Sequence, residues 1–398
     1  MKEGWTYKKL GEVCSKSRNI KWDIVSDTAT YKYIDLTSVD RGDLCIHNPQ
    51  TISKADAPSR AKQIVELGDV IFATTRPTLR RVSLIDDVFN GAICSTGFCV
   101  LRPNKDISSK WIFYGLQNNA FYNYIEPLQT GASYPAVTDS IVKAYTLPIP
   151  PLSEQQSIVD YIDSAFAKID AMKANAEKSL YEAKALFQAS LKEMLEPKEG
   201  WEVATIGKLG DIFGRIGFRG YTKNDLVAGP DEGAITLSPS NIQDGRMDYT
   251  SCTYISWFKY EESPEIMINN GDVLIVKTGS SYGKSAFVEN LPHKATINPQ
   301  SVVIKNIIIN NKFFAYLMRT PWVLAKFDEF VSGTAIPTFS QAKLSQVELS
   351  YPSNDMQNKI CEKLDSLKSK VDKLQENYDK ISQECDALKQ AILRQVFE

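Results

Sequence analysis

The segment Leu147-Pro148-Ile149-Pro150-Pro151-Leu152-Ser153-Glu154-Gln155-Gln156 marks a change from one kind of structure to another. Prolines cannot continue a hydrogen-bonded ladder and favour an extended backbone, so this junction should end the strands before it. Ser153, followed by Gln156, offers an N-cap for a helix beyond it. A weaker copy, residues 351–357, keeps one proline and one glutamine and offers Ser353 as its N-cap. We therefore expect two β-rich modules, each followed by a long helix.

The residues after each junction repeat with the alternating spacings of four and three that are typical of a coiled-coil seam. The second seam carries large apolar side chains, whereas the first carries Ala or Ser at many equivalent positions. A seam of small residues buries too little to pair with itself, so we expect one intramolecular, antiparallel pair of helices, a rod of about 60 Å. The alternative is that each helix packs onto its own module. The first seam consists of Ile158, Ile162, Ala165, Ile169, Met172, Ala176, Ser179, Ala183, Leu186 and Ser190, and the second of Ile360, Leu364, Leu367, Val371, Leu374, Tyr378, Ile381, Cys385, Leu388 and Ile392.

The chain is an internal duplication, because several motifs occur in the same order in both halves. From the repeated glycine turn into the long helix, each residue of the first half aligns with the residue 202 positions later, as Gln155 does with Gln357. Independent matches in one order favour duplication over the chance recurrence of common turns. The matched pairs are Glu3-Gly4-Trp5 with Glu199-Gly200-Trp201, Leu10-Gly11-Glu12-Val13 with Leu209-Gly210-Asp211-Ile212, Gly68-Asp69-Val70 with Gly271-Asp272-Val273, and Gly131-Ala132-Ser133-Tyr134-Pro135 with Gly333-Thr334-Ala335-Ile336-Pro337.

Short β-rich runs, punctuated by Gly, Pro, Asn and Asp, precede each junction. The fold class is therefore α+β: two tandem modules of mixed or antiparallel β-structure with helices, and two long antiparallel coiled-coil helices. The predicted boundaries are 1–152 and 197–353 for the modules and 153–196 and 354–398 for the long helices. Strands are predicted at Tyr31–Leu36, Val70–Thr75, Asp272–Lys277 and Ser301–Lys305, and one helix per module near Lys110–Tyr122 and Lys312–Lys326.

The composition favours a soluble, multidomain protein of the cytoplasm. Its 398 residues, 43% of them hydrophobic, suffice for two or three packed domains. No apolar run approaches the roughly 20 residues of a membrane helix, and the first ten residues lack the apolar stretch of a signal peptide. The seven cysteines include no Cys-x-x-Cys pair, so neither a disulfide framework nor a zinc clip is expected.

Three features that could carry catalysis each lack a required part. The segment Thr278–Ser285 resembles a phosphate-binding loop, but its two glycines enclose three residues where that loop needs four. The two histidines, His47 and His293, stand beside no plausible nucleophile or metal cluster. The segment Asn298-Pro299-Gln300-Ser301 lacks the second proline and the aromatic residue with which amino-methyltransferases hold a target base. We therefore expect no catalytic residues, no cofactor and no metal.

The chain resembles the specificity subunits of type I restriction-modification systems. The resemblance lies in the paired junctions, the Gly-Trp and Leu-Gly openings and the Gly-Asp-Val strands. The resemblance covers the whole chain, and residues 150–155 are its most specific piece. It implies that each module is a target-recognition domain for half of a split site in double-stranded DNA, with the helices as a spacer. It also implies as partners methyltransferase subunits, two of them, and restriction subunits that supply the motor and nuclease. The alternatives are a coiled-coil scaffold with no role on DNA and the recognition part of a single-chain restriction enzyme.

A net charge of −2 argues against DNA binding unless partner subunits neutralise most of the phosphate charge. The polar loop after each Gly-Asp strand is still the leading candidate for DNA contact, because arginine can bridge guanine O6 and N7 and hydroxyls can hold phosphates. The alternative is an exposed polar hairpin. Because the two loops differ in composition, we expect different half-sites and an asymmetric full site. The candidates are Thr74, Thr75, Arg76, Thr78, Arg80 and Arg81 in the first loop, and Lys277, Thr278, Gly279, Ser280, Ser281, Tyr282 and Lys284 in the second.

Weaker candidates lie in other turns of both modules. Lys and Arg beside glycine-rich turns often serve solubility alone, so their presence is a weaker indication of DNA contact. They are Ser133, Tyr134 and Thr334 in the matched turns, Arg215, Arg219 and Lys223 in a glycine-rich stretch, and Lys16, Arg18 and Lys21 near the start of the chain.

Overall fold

The computed structural model describes residues 4–332 and 336–398, and it divides into two compact units. Unit 1 comprises the chain up to Glu177 together with Asn377–Glu398, and unit 2 comprises Lys178–Glu376. Each unit therefore contains one β-rich module and one half of each long helix. The α+β class and the two tandem modules are confirmed.

The module of unit 1 is built from short strands in small sheets. Thr6–Lys9 pairs antiparallel with Thr146–Ile149, the strand that ends at the first junction. An antiparallel sheet has the order Cys14–Ser15, Phe98–Pro103, Val70–Ala73, Val82–Leu84. A mixed sheet has the order Arg18–Asn19, Ala61–Ile64, Ile93–Ser95, Thr30–Ile34, Gln50–Ser53. Its α-helices are Leu10–Val13, Ser109–Gly115, Asn119–Ile125 and Asp139–Ala144.

The module of unit 2 repeats this plan. Glu202–Thr205 pairs antiparallel with Glu348–Tyr351 at the second junction. One sheet has the order Asp211–Gly214, Ser301–Lys305, Val273–Val276, Ser285–Phe287, Arg246–Met247, Ile242–Gln243. Another has the order Leu226–Val227, Thr253–Ser256, Gly233–Leu237, Ala295–Ile297, Met267–Ile268. The α-helices are Ile206–Leu209, Trp257–Glu261, Asn311–Leu317, Pro321–Phe330 and Gln341–Ser345.

The strands that follow the Gly-Asp turns lie at the centre of each core. Every residue of Val70–Ala73 and of Val273–Val276 is buried, as expected for a strand covered on both faces. In unit 1 the ring of Phe72 meets that of Phe121 at 5.0 Å, and Trp111 meets Phe397 of the second long helix at 4.7 Å between ring centroids. Each module therefore shares one hydrophobic core with the helix halves of its own unit.

A buried glutamine joins each long helix to its module. The Gln155 side chain is fully buried, accepts a hydrogen bond from the Ser108 N–H at 2.9 Å, and donates to the carbonyls of Asp106 and Pro150. In unit 2, Gln357 accepts from the Asn310 N–H at 2.9 Å and donates to the Pro352 carbonyl at 2.7 Å. A carboxamide offers both an acceptor and two donors, so one side chain satisfies backbone groups of the junction and of a module helix.

An aspartate about two turns further along each long helix makes a second repeated contact. Asp163 accepts hydrogen bonds from Lys110 and from the hydroxyl of Tyr114. Asp365, at the equivalent position, accepts from Lys312 at 3.0 Å and from the Tyr316 hydroxyl at 2.6 Å. The 202-residue register in the sequence thus corresponds to the same contacts in both units.

The long helices, Leu152–Leu195 and Asn354–Phe397, pair antiparallel as predicted. In unit 1, Lys389 donates to Asp170 at 2.5 Å and Lys173 lies 3.5 Å from Asp386. In unit 2, Lys184 donates to Gln375 at 2.8 Å. Residue numbers rise along one helix as those of their partners fall along the other, which fixes the direction of the pair.

The seam predicted for the first long helix is wrong at every second position. Ile162 and Ile169 are buried as expected, but Met172 and Leu186 are 60% and 58% exposed. The buried set lies one residue later and is not rich in small residues: Val159, Phe166, Leu180 and Phe187. Adjacent helix positions are both apolar here, and packing against the module selects which of them turns inward.

The second long helix follows its predicted seam except at Leu388, which is 50% exposed. At two positions the size difference between the seams runs opposite to the expected one. Lys368 and Lys389 stand where the first helix has Phe166 and Phe187. Within unit 1 the Lys389 ammonium lies 5.0 Å from the centre of the Phe166 ring. At these two positions the bulky side chain comes from the first helix, and in unit 1 the long side chain of Lys389 covers it.

Each predicted module helix is two helices with a break. The first segment ends at Gly115, and Asn118 then accepts from the Ala120 N–H at 3.2 Å as the N-cap of Asn119–Ile125. In unit 2, Pro321 lacks an N–H and begins a new helix, Pro321–Phe330.

The N-cap predicted at Ser153 is wrong, because the first long helix begins at Leu152. Ser353, the N-cap predicted for the second long helix, directly precedes that helix.

We expect Gln155→Ala to lower the free energy of unfolding by about 2–4 kcal/mol, because it leaves a buried N–H and a buried carbonyl without partners. Gln156→Ala is the matched control, since Gln156 is exposed and bonds to Asp160 on its own helix. The control should change stability by less than about 0.5 kcal/mol. Chemical unfolding of both variants measures the difference, and equal effects would show that the buried amide does not hold the junction.

Candidate nucleic-acid interface

In unit 1 the first candidate loop is bonded to a second loop through the backbone. The loop joins strands Val70–Ala73 and Val82–Leu84, and the second loop covers residues 130–137. The Arg76 N–H donates to the Pro135 carbonyl at 2.7 Å, and the Val137 N–H donates to the Thr74 carbonyl at 2.9 Å. We call this pair of loops the loop platform.

Unit 2 contains the same platform, built from residues 277–284 together with Ser332 and residues 336–339. The Gly279 N–H donates to the Pro337 carbonyl at 2.9 Å, and the Phe339 N–H donates to the Lys277 carbonyl at 3.1 Å. The hydroxyls of Thr278 and Thr338 lie 2.8 Å apart. Because the backbone bonds are the same in both units, the shape of the platform does not depend on which side chains it carries.

Arg76 and Tyr134 come together on the exposed surface of the first platform. The Arg76 guanidinium carbon lies 4.7 Å from the centre of the Tyr134 ring, which is 69% exposed. Arg76 adopts a left-handed backbone conformation with φ of 49°, which is uncommon for a residue with a side chain. An exposed guanidinium held against an aromatic ring presents hydrogen-bond donors and an apolar face to one ligand surface. Sequence reasoning placed these two residues in separate groups of candidates.

The other candidates of the first loop divide into structural and exposed residues. Thr74 is buried and donates to the Gly97 carbonyl at 2.9 Å, and Arg81 donates to the Leu36 carbonyl at 2.7 Å. Arg80 is exposed, donates to the side-chain oxygen of Asn119 at 2.7 Å, and stacks 4.2 Å from the Tyr122 ring centre. Thr78 is exposed, Ser133 is exposed beside Tyr134, and Thr75 is half-buried.

The second platform presents a different surface. Ser280 and Lys284 are exposed, while Lys277, Thr278, Gly279, Ser281 and Tyr282 are half-buried. The Tyr282 hydroxyl donates to Asp328 at 2.8 Å, and this hydrogen bond to a carboxylate raises the pKa of the phenol. Ser285–Phe287 then continues as a strand, so the loop does not open into the helix that a phosphate-binding loop requires.

The weaker candidates are mostly engaged within the fold. Arg215 is 7% exposed and donates to the Ile297 carbonyl and to the hydroxyl of Thr296, and burial lowers its pKa. Arg219 pairs with Glu265 at 3.4 Å, and Arg18 pairs with Glu66 at 2.7 Å. Lys16, Lys21 and Lys223 are exposed. Thr334 lies outside the described residues.

Sequence reasoning missed Ile336, which is 63% exposed beside the second platform. It matches Tyr134 in the Gly-x-x-x-Pro repeat, so the signal was present in the alignment of the two halves. A large apolar side chain at an exposed loop tip can contact a thymine methyl group or stack on a base. Asn119, which holds Arg80, carried no signal, since its role depends on packing between two distant segments.

No group of three or more His, Cys, Asp or Glu side chains within residues 4–332 and 336–398 is arranged to hold a metal ion. Over the same residues, none of the helices combines the length and the apolar character that crossing a bilayer demands.

We expect Arg215→Ala to lower the free energy of unfolding by about 2–4 kcal/mol, because it leaves the Ile297 carbonyl and the Thr296 hydroxyl without their buried donor. The control is Lys223→Ala, an exposed change in the same stretch, with an effect below about 0.5 kcal/mol. Chemical unfolding measures both. If Arg215→Ala left stability unchanged, its side chain would not be a structural element.

Comparisons with known proteins place the chain among restriction-system proteins. A family model described as a type I restriction modification DNA specificity domain matches residues 2–180 and 198–383. The EcoKI specificity subunit of Escherichia coli K12 is 25% identical over 221 residues, which cover 53% of this chain and 47% of that protein. The chain thus spans about half the length of that relative. The MjaIX specificity subunit of Methanocaldococcus jannaschii is 21% identical over 385 residues, covering 87% of this chain and 82% of the relative.

Two solved structures share the fold. A chain from a study of complex assembly and conformational transition of the type I R-M system superposes with a TM-score of 0.81 at 24% identity, covering 99% of this chain and 97% of that one. The HsdS subunit of Thermoanaerobacter tengcongensis gives a TM-score of 0.58 at 23% identity, covering 100% of this chain and 97% of that one.

Proposed function

The chain belongs to the family of type I restriction modification DNA specificity domains, and we propose that it is the DNA-recognition subunit of such a system. Its target is a bipartite, asymmetric site in double-stranded DNA, one half for each unit. The observation that carries this proposal is the repeated loop platform with unlike exposed side chains. A common backbone gives both units the same way of meeting a duplex, and unlike side chains give them different bases to read.

Unit 1 has the side chains to read a purine-containing half-site. The Arg76 guanidinium can donate to O6 and N7 of guanine in the major groove, and Tyr134 beside it can contact a neighbouring base. In unit 2, Ser280 and Lys284 supply a hydroxyl and an ammonium, and Ile336 supplies an apolar contact. Hydroxyls and backbone N–H groups next to these residues are suited to holding phosphates, which set the register on the duplex.

The chain itself performs no catalytic step in this proposal. Methyl transfer belongs to methyltransferase subunits, of which two bind, and translocation and cleavage belong to restriction subunits. With a net charge of −2, the isolated chain should bind DNA weakly and in a salt-sensitive way, because its partners supply much of the charge that neutralises phosphates. Its place of action is the cytoplasm, where the DNA and these partners are found together.

Exposed apolar side chains on the long helices support docking of the methyltransferase subunits there. In unit 2 a groove of about 480 Å³ is lined by Leu186, Met194, Trp201 and Met356. Leu186 and Met356 are 58% and 47% exposed. In unit 1, Leu388 is 50% exposed at the position equivalent to Leu186. An exposed leucine repeated at the equivalent position of each unit fits two copies of one partner.

The alternative of a coiled-coil scaffold without a DNA role predicts that duplex sequence makes no difference. Gel retardation of the chain together with its methyltransferase partners, on a duplex with the methylated site and on one with that site scrambled, separates the two. Equal retardation of both duplexes would overturn the proposed function.

We expect Arg76→Ala to weaken binding of the target duplex by about 1–3 kcal/mol and to relax one half-site, because the variant lacks the base-reading guanidinium. The other half-site should keep its sequence requirement. Mapping of methylated adenines in cells that carry the variant gives the site preference. Arg60→Ala, an exposed change outside the platform, is the control. An unchanged methylation pattern in Arg76→Ala would remove this loop from the recognition surface.

We expect Leu186→Glu to weaken association with the methyltransferase subunit at least tenfold, about 1.4 kcal/mol, since it replaces an exposed apolar side chain of this groove with a charged one. Leu67→Glu is the matched control, because Leu67 is 56% exposed in a turn of the unit 1 module. Copurification and analytical ultracentrifugation measure the association. Equal behaviour of the two variants would exclude this groove as the docking surface.

A further inference from the structure

Unit 1 contains a basic cleft between its module and its halves of the long helices. The cleft is defined by Arg41, Arg80, Tyr122, Lys173, Asp386 and Lys389, and its volume is about 350 Å³. This volume lies in the range of pockets that bind small ligands or parts of larger ones. Arg41 comes from the turn between two strands of the mixed sheet, Arg80 from the loop platform, and the two lysines from the long helices.

The positive charges of the basic cleft exceed its negative charges. Lys173 lies 3.5 Å from Asp386, and Lys389 donates to Asp170. Arg80 bonds to the neutral amide of Asn119, and Arg41 makes no ion pair within the described part of the chain. The lining of the cleft thus has four cations and one carboxylate, Asp386, with Asp170 next to Lys389 and Asp40 near Arg41. A partly enclosed excess of positive charge attracts an anion more strongly than the same charges spread over an open surface.

Tyr122 adds a polar group that the fold leaves without a partner. Its side chain is 4% exposed, and its hydroxyl makes no hydrogen bond within the described residues. Burial raises the pKa of this phenol, so it stays protonated and able to donate. A buried hydroxyl without a partner destabilises the fold, and an acceptor entering from the cleft would supply the missing hydrogen bond.

The corresponding cleft of unit 2 shows that the fold does not require the residues that make the basic cleft of unit 1. A cleft of about 550 Å³ lies in the corresponding place, next to the Asp244-Gly245 turn and Gln188 of the long helix. Lys284 and Arg319 line that cleft, but three residues of the unit 1 cleft are replaced. Asp244, Leu324 and Gln375 stand at the positions of Arg41, Tyr122 and Lys173. The cleft is therefore a product of the duplicated architecture, whereas Arg41, Tyr122 and Lys173 are particular to unit 1.

We propose that the basic cleft binds the phosphodiester backbone of the duplex beside the half-site that unit 1 reads. This inference rests on the proposed function. Arg80 links the two surfaces, because the short turn Pro77–Leu79 alone separates it from Arg76. A duplex whose bases face Arg76 brings its adjacent backbone towards Arg80. Guanidinium groups bind phosphate oxygens through two parallel hydrogen bonds, and lysines add charge without geometric demands.

The test uses the full chain with its methyltransferase partners and the double variant Arg41→Gln/Lys173→Gln. Fluorescence anisotropy gives the affinity for a target duplex and for a scrambled duplex between about 50 and 200 mM salt. We expect the slope of log affinity against log salt to become shallower by about two, at roughly 0.9 for each phosphate that the variant no longer neutralises. Affinity for both duplexes should fall by the same factor, so the ratio between them should not change.

The control is Arg60→Gln/Lys178→Gln, which removes the same charge at exposed positions outside the cleft. Its slope should change by less than half as much, and equal changes in the two double variants would overturn the proposal. Tyr122→Phe is a second probe, because it removes the unpartnered hydroxyl alone. It should keep or raise the melting temperature and weaken binding of both duplexes; unchanged binding would contradict the role given to the hydroxyl.

Free phosphate or a free nucleotide shares the chemistry of a DNA phosphate, so titration calorimetry with inorganic phosphate forms a separate arm. Phosphate binding that the Arg41→Gln/Lys173→Gln variant abolishes, with an unchanged salt slope on DNA, would identify a small-anion site and overturn the backbone assignment. Failure of the proposed function is distinguishable, because it appears in the unmodified chain as equal affinity for target and scrambled duplexes. The salt slopes would then still report whether the cleft contacts phosphates.

Discussion

The structure depends on a buried carboxamide at the start of each long helix. Gln155 and Gln357 each accept a hydrogen bond from the backbone N–H that precedes a module helix and donate to the carbonyl of a junction proline. Each side chain therefore fixes the rotation of its helix about its own axis relative to the module. A carboxylate has no donor and an apolar side chain has neither group, so few residue types could replace it. The aspartates that follow bind a Lys and a Tyr of the module and hold the same rotation further along.

The loop platforms show how one fold can carry two different exposed surfaces. The bonds that join the loops, such as those from Arg76 N–H to Pro135 and from Gly279 N–H to Pro337, are made by backbone atoms. Side chains at these positions can therefore change while the loop shape is kept. The same loop shape is compatible with Arg76 on Tyr134 in unit 1 and with Gly279 near Ile336 in unit 2. Backbone atoms thus keep the loop shape, and in the proposed function the side chains are left to read the DNA sequence.

Similar side chains have unlike roles in this chain because their surroundings differ. Arg215 is buried and satisfies carbonyl and hydroxyl groups, Arg102 is held by both oxygens of Asp69, and Arg76 is exposed on an aromatic ring. A count of charges cannot separate these cases. The overall charge of −2 likewise hides a cleft with more cations than carboxylates. The position of each charge, rather than the total, bears on whether DNA is bound.

The sequence by itself determined the duplication, the two junctions, the long helices and the central Gly-Asp strands, because each depends on local propensity or on a pattern that occurs twice. It also identified the loops that form the platforms. Tertiary structure alone decided which of two adjacent apolar stripes, Ile158 and Ala165 or Val159 and Phe166, faces inward, since both fit a helical period. It alone brought Arg76 to Tyr134 and Arg80 to Asn119, and buried Arg215, because contacts between segments far apart in the chain leave no periodic trace in either segment.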